Sequence, residues 1–214
     1  MTDEFNALIT NHARDFVPSD KTKNVVGCKW IYKTKYRSDG SVERHKARLV
    51  AQGFNQQDGV DFSETFSPVV KPTIVRLVLS VVVSLGWTIR QLDVKNVFLH
   101  GQLTEKVYMC QPPSSIHPTY PSHICHLRKA LYGLKQAPRA WFHRFSGFLL
   151  SYGFSQSQFD CPCLLITPRP VLFIFFYMWM IFSLLVVPCL RSLNLLIYYR
   201  ASLSRKIWGI FIIF

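Results

Sequence analysis

The stretch Cys28 to Phe54, CKWIYKTKYRSDGSVERHKARLVAQGF, carries the first decision about the fold. Asp39-Gly40 stands between two extended runs, and that dipeptide between strand formers is a strong hairpin signal. In the first run Trp30, Tyr32 and Tyr36 share one face, and Lys29, Lys33, Lys35 and Arg37 share the other. In the second run Arg44, Lys46 and Arg48 recur with period two, so they project together. A charge run of this kind is commonly a solvated strand face. A phosphate-facing surface stands beside it as the second reading, because seven basic side chains gather on one hairpin.

Outward from the hairpin, residues 3–16 read as a short amphipathic helix with Phe5, Leu8 and Ile9 on one side. After it, Pro72-Thr73 opens the run TIVRLVLSVVVSLGW, with Thr73 expected as N-cap and Gly86 near the end. Ile74, Leu77, Val78, Val81, Val82 and Leu85 make that helix apolar nearly all round, which predicts burial. TIRQLDVKNVFLHG then begins as a strand, with Asp93 near its finish, and ends in a glycine turn. A second helix follows Ala137, with Pro138 in its first turn and Gly153 as its stop. Trp141, Phe145, Phe148, Leu149 and Tyr152 form its apolar stripe. Strands and helices mixed around buried elements give an α+β fold class.

Composition divides the chain. Of 214 residues, 25 are Lys or Arg and 12 Asp or Glu, a net charge of +13. All twelve carboxylates lie at or before Asp160, whereas Arg169, Arg191, Arg200, Arg205 and Lys206 follow it unbalanced. The basic excess favours polyanionic partners, nucleic acid or an anionic membrane surface. The six cysteines form no regular framework, and reduced thiols are the default expectation. His123, Cys125 and His126 cluster without a second ligand pair, so a polar loop is expected there in preference to a zinc site. The N-terminal segment is polar and carries no apolar signal-peptide core.

Five segments, ERHKARLVAQGF, FSETFSPVVKPT, RQLDVKNVFLHG, VYMCQPP and ALYGLKQAPRAWF, occur in this order. Together, over roughly residues 3–160, they resemble the reverse transcriptase of copia-type long-terminal-repeat retrotransposons. LYGLKQAPRAW is far more specific than a short motif. The resemblance implies a partial right-hand polymerase. Residues 1–86 would be a fingers-like region with its basic hairpin at 29–50, and 87–165 a partial palm. It also implies a template-primer of RNA or DNA and a deoxynucleoside triphosphate as partners, no small-molecule cofactor, and an intracellular place, cytoplasmic or nuclear. Two Mg²⁺ ions would serve phosphoryl transfer, bound by carboxylate oxygens.

By the same resemblance Asp93 is the first catalytic and metal-binding carboxylate. Lys46 and Arg48 would grip the incoming triphosphate as charge-assisted donors. Phe98 resembles the aromatic gate under the nucleotide sugar, although Val97 stands where the family usually has Ala. Gly133, Lys135 and Gln136 would lie near the template base and the nucleotide. A turn glycine and a solvated lysine are the plainer alternatives for the first two.

The family also needs a hairpin bearing Tyr-Val-Asp-Asp, and residues 161–214 contain no Asp or Glu from which to make it. Met and Trp each have a single codon, so YMWMI, Tyr177 to Ile181, is encoded TAY ATG TGG ATG ATH. Read from the third base of each codon, the same DNA yields Tyr-Val-Asp-Asp-Ile when the free bases are T and A, and both aspartates are forced whatever the free bases are. In that frame LFIFFY can give the apolar strand Val-Tyr-Leu-Leu-Leu-Tyr. KIWGIFIIF can give Asp-Leu-Gly-Asp-Leu-His-Tyr-Phe, which resembles the family's next landmark. Residues 166–214 are therefore expected to be an out-of-frame hydrophobic C-terminal tail, the shift falling between Asp160 and Val171. The partner aspartates of Asp93 are absent, and a catalytically inactive fragment is expected. A residual nucleic-acid-binding module is the alternative. Residues 171–190 carry no charge and are long enough to span a bilayer, so incidental membrane insertion is a third expectation.

Overall fold

The computed structural model describes residues 2–69, 71–84, 86 and 88–151, and beyond them the backbone of 155–156, 163–166, 173–178, 181–186 and 212–213. Within that range the fold is α+β, in two units. One comprises Met1–Phe66 and Phe98–Trp141, the other Ser67–Val97 and Phe142–Phe214.

The first unit opens with helix α1, Thr2–Thr10. It stops earlier than its polar–apolar alternation predicts. The Ala13 N–H reaches back to the Leu8 carbonyl (3.0 Å) and the His12 N–H to that of Ile9 (2.9 Å), a Schellman closure. His12 takes the left-handed conformation, φ 48°, in place of the usual glycine. The chain then leaves as strand β1, Arg14–Val17. Leu8 is buried, but Ile9, expected beside it, is 55% exposed. The helix ends within a turn of Ile9, and only the Phe5–Leu8 stripe reaches the core.

Four strands form one sheet in the order β1, β7 (Ile124–Lys129), β6 (Gln102–Met109), β2 (Val25–Val26). The β1–β7 and β6–β7 pairs are antiparallel, and β2 runs parallel to β6. Alternation places Val107 and Met109 of β6, and Cys125 and Leu127 of β7, in the core with Leu8, Leu49 and Leu131. The expected polar loop at His123–His126 is thus corrected. Ile124 onward is strand, Cys125 is a core side chain, and the His126 ring lies against Tyr108 at 5.3 Å.

The basic segment forms the expected hairpin, β3 (Cys28–Tyr36) with β4 (Val42–Ala51). Its loop is a hydrogen-bonded turn, the Gly40 N–H donating to the Arg37 carbonyl (3.0 Å), with Gly40 at φ 82°. The Asp39 carboxylate accepts from the Ser41 hydroxyl (2.7 Å) and backbone N–H (2.8 Å), which lowers its pKa. Cross-strand partners are Ile31 with Arg48, Lys33 with Lys46, and Lys35 with Arg44, so these cations share a face. Trp30 with Leu49 and Tyr32 with Ala47 occupy the other. A bulge between Lys35 and Tyr36 ends the strict alternation.

In the second unit helix α2 spans Pro72–Ser84. The Val75 N–H bonds the Lys71 carbonyl (3.3 Å), so Lys71 caps the helix and Pro72 is its first residue. Thr73, expected as the cap, lies within the first turn, because proline's fixed φ and missing N–H suit the position before it. The predicted all-round burial of α2 also fails. Leu77 is 63% exposed, Val81 44% and Val83 69%. A helix that packs on one side buries only a stripe, whatever the rest of its surface is made of.

Helix α3, Ala137–Ser151, begins in the first unit and continues in the second. Trp141, Phe145 and Leu149 are buried as expected, and Phe148 is half-buried. Tyr152 and Gly153 lie outside the described residues. Strand β5, Thr88–Asp93, belongs to a six-stranded sheet with β8 (Ser155–Gln156), β9 (Cys163–Ile166), β10 (Phe173–Met178), β11 (Ile181–Val186) and β12 (Ile212–Ile213). The order is β12-β5-β11-β10-β9-β8 and every pair is antiparallel. The described parts of 171–190 are thus strands. Among the described residues no helix is long and apolar enough to cross a membrane.

These burials set a contrast in cost. Leu127→Ala should lower stability by about 2–5 kcal/mol. Leu77→Ala, on the exposed side of α2, should change it by less than about 0.5 kcal/mol. Urea unfolding midpoints of the two variants check this, and equal losses would contradict the assigned burial.

Candidate nucleic-acid and nucleotide site

Strand β4 offers Lys46 and Arg48 from its basic face. Lys46 stands directly opposite Lys33, an arrangement that costs stability unless an anion lies nearby. The Arg48 guanidinium lies over the Tyr132 ring at 5.2 Å, and Tyr132 meets Phe98 edge to face at 4.8 Å and 78°. A cation from the hairpin and the expected sugar gate are therefore joined through one aromatic ring. Tyr132 was not a predicted site residue, although it lies inside the LYGLKQAPRAW run. Its backbone carbonyl accepts the Ala51 N–H at 2.7 Å, which fixes the ring beside β4.

Gly133 follows at φ 90°, and a Cβ there would sit 2.0 Å from the Ala51 carbonyl oxygen. A Cβ on Gly53 would meet the Gly133 carbonyl at the same 2.0 Å. Two glycines thus let the 131–136 segment lie against the end of β4, a close approach of backbone to backbone.

Lys135 and Gln136 are tied to residues 56–62. The Lys135 N–H donates to Gln56 Oε1 (2.9 Å), and its ammonium lies 3.4 Å from the Gln56 carbonyl and 4.6 Å from the Phe62 ring centre. Gln136 is 2% exposed; its Oε1 accepts from Gln56 Nε2 (2.9 Å) and its Nε2 donates to the Asp61 carbonyl (2.8 Å). The buried Asp61 carboxylate in turn accepts from Asn24 Nδ2 and from the Gln57 N–H (2.8 Å). Gln56 and Asp61 of this buried polar network were missed from sequence. Their place in the network is not marked locally, since the Gln136 that joins them stands 75 to 80 residues away.

The Glu4 carboxyl titrates above the usual range because burial disfavours its charge. The Arg48 cation and the Leu49 N–H pull the other way. Cys28 is pushed up to about 12, first by burial and then by the Cys110 and Cys125 thiols.

Asp93 ends β5 in the second unit, and its carboxylate lies outside what the structure describes. Among the described residues no group of three or more His, Cys, Asp or Glu side chains could hold a metal ion. The described carboxylates thus assemble no two-Mg²⁺ site of the kind that the resemblance implied, and Asp93's own carboxylate is not among them.

A family profile described as "Reverse transcriptase (RNA-dependent DNA polymerase)" matches residues 11–164. The chain belongs to the copia-type reverse transcriptases. The chain is 55% identical over 161 residues to the retrovirus-related Pol polyprotein from transposon RE1 of Arabidopsis thaliana. The corresponding identity is 53% to that of transposon RE2 of the same plant. Against the Pol polyprotein from transposon TNT 1-94 of Nicotiana tabacum it is 44% over 163 residues. Each alignment covers 75–76% of this chain and 11–12% of the relative, so the chain spans about one ninth of those polyproteins. The profile match stops at residue 164, close to the compositional break after Asp160.

Two tests follow from the geometry. Gly133→Ala should cost about 3 kcal/mol, strain and clash together. Gly40→Ala, where nothing lies within 4 Å of the new Cβ, should cost only about 1 kcal/mol. Chemical denaturation compares the two, and equal losses would contradict the packing. For Glu4 the folded-state pKa is raised, so its contribution is present below the unfolded value and is lost as pH rises through the folded one. Glu4→Gln should therefore reduce the loss of stability between pH 4 and pH 7, read from thermal midpoints at each pH.

Proposed function

We propose that this chain is a reverse-transcriptase segment that still holds nucleic acid but does not polymerise. Residues 1–86 act as fingers, 87–165 as an incomplete palm, and 166–214 as palm coding sequence read out of register. The observation that carries this reading is the absence of any carboxylate after Asp160 in a chain whose DNA, one base along, must encode two adjacent aspartates. Asp93 is left without the partners that a two-metal phosphoryl transfer requires.

Two structural features support the reading. Met178 and Ile181 are the last pair of the β10–β11 ladder, and Ile181 also pairs with Asp93, so that end of the ladder lies beside the family's first aspartate. In the shifted frame the aspartates are encoded across codons 179 to 181. For binding, Lys33, Lys35, Lys46 and Arg48 share one hairpin face with like charges opposed, an arrangement suited to a polyanion. Arg48, Tyr132 and Phe98 take the nucleotide end of that surface, while Gly133, Lys135 and Gln136 hold the backbone that positions Tyr132.

The test pairs two assays on the purified 214-residue chain. Primer extension on poly(rA)·oligo(dT) with Mg²⁺ or Mn²⁺ should yield no incorporation. Fluorescence anisotropy with an RNA–DNA hybrid should show weak binding that falls steeply with salt. Replacing Lys33, Lys35, Lys46 and Arg48 by Ala should lower the affinity and flatten the salt slope by about one unit per lost contact. Template-dependent incorporation would overturn the inactivity, and unchanged binding by the quadruple variant would overturn the surface.

A further inference from the structure

The basic hairpin does not account for a second concavity in the first unit, a cleft of about 630 Å³ between α1 and the loop that follows β6. That volume is within the range of ordinary ligand sites. Its lining includes Phe5, Arg14, Phe16 and His117, with Ile9 on the α1 wall and Ile116 on the loop wall.

Arg14 is the distinctive group. Its guanidinium lies between the Phe5 ring (5.1 Å) and the Phe16 ring (5.2 Å), with Nη1 3.8 Å from the Cys125 sulfur. The side chain is half-buried and makes no ion pair among the described residues. No Asp or Glu lines the cleft. A half-buried guanidinium lying over two rings, with no carboxylate partner among the described residues, is an anion receptor by its chemistry.

The opposite wall is held in shape. Gln111 Oε1 accepts the His117 N–H (2.7 Å), while its Nε2 donates to the carbonyls of Tyr120 (2.7 Å) and His123 (2.8 Å). The His117 ring packs between Phe16 (4.9 Å) and Tyr120 (5.2 Å). The cleft therefore exists before any ligand arrives, which lowers the ordering cost of binding.

Charge and shape together choose the occupant. Arg14 is the sole Lys or Arg of the lining, whereas polyanions are held by several such cations. Ile9 is 55% exposed and Ile116 59%, so apolar surface continues beyond the cleft on both walls. We propose that this cleft binds a peptide segment in which one acidic side chain, paired with Arg14, is flanked by large apolar residues that cover Ile9 and Ile116. The site is separate from the nucleic-acid surface and does not depend on it.

The probe is a fluorescein-labelled heptapeptide with a central Asp between Leu and Phe residues, titrated with the full 214-residue chain. Binding should weaken at least tenfold when the peptide Asp becomes Asn, and equally when the protein carries Arg14→Gln. Ile116→Asp, on the exposed loop wall, should also weaken it tenfold and leaves Arg14's strand untouched should Arg14→Gln fail to fold. Lys46→Ala should leave peptide affinity unchanged. Equal affinity for the Asp and Asn peptides, or for wild type and Ile116→Asp, would overturn the proposal. Displacement of the peptide by a single-stranded oligonucleotide, in a manner that depends on Arg14, would overturn it in favour of a nucleic-acid site.

Discussion

The first unit depends on one backbone contact, the docking of Tyr132-Gly133 against the end of β4. The Ala51 N–H donates to the Tyr132 carbonyl, and Gly133 approaches so closely that no Cβ fits. That contact fixes the Tyr132 ring under Arg48 and beside Phe98. It also brings Lys135 and Gln136 to residues 56–62, where the buried Gln56–Gln136–Asp61 network closes. Five of the residues identified by resemblance, Arg48, Phe98, Gly133, Lys135 and Gln136, thus serve the same junction. Their shared environment is one of packing and polar satisfaction.

What was legible in the sequence follows from how local each signal is. The hairpin and its basic face could be read because period-two alternation and a turn dipeptide act within a few residues. Arg44, Lys46 and Arg48 do share a face with Lys33 and Lys35. The core stripe of α3 was legible for the same reason, at a different period. The end of α1 was not, because His12 adopts a left-handed conformation that sequence assigns to glycine. Thr73 has the side chain of a cap, but the stronger preference of Pro72 for the first helical position places it inside the first turn. His123 and His126 disguised a strand whose inward side chains are Cys125 and Leu127.

The less legible features are those set by distant partners. Hydropathy says that α2 is apolar nearly all round, but not which sides find a neighbour; Leu77 and Val83 are exposed. Gln56, Asp61 and Gln136 meet across 75 to 80 residues, and no periodicity announces a buried amide network. The tail is a different case. Its amino acids describe an apolar segment, whereas the codons behind Met178, Trp179 and Met180 describe a pair of aspartates. Sequence here carried information that composition concealed, since single-codon residues fix the bases in every frame.

The central claim is that residues beyond about 166 are reverse-transcriptase coding sequence displaced by one base. Sequencing the encoding DNA and its transcript from codon 160 through and beyond codon 214 tests it most directly. The account predicts that the frame beginning at the third base of codon 177 is free of stops from the Val171 codon onward. It further predicts that this frame continues, past the Phe214 codon, into sequence matching the Pol polyproteins of transposons RE1 and RE2. A stop codon in that frame, or a continuation unrelated to them, would contradict it.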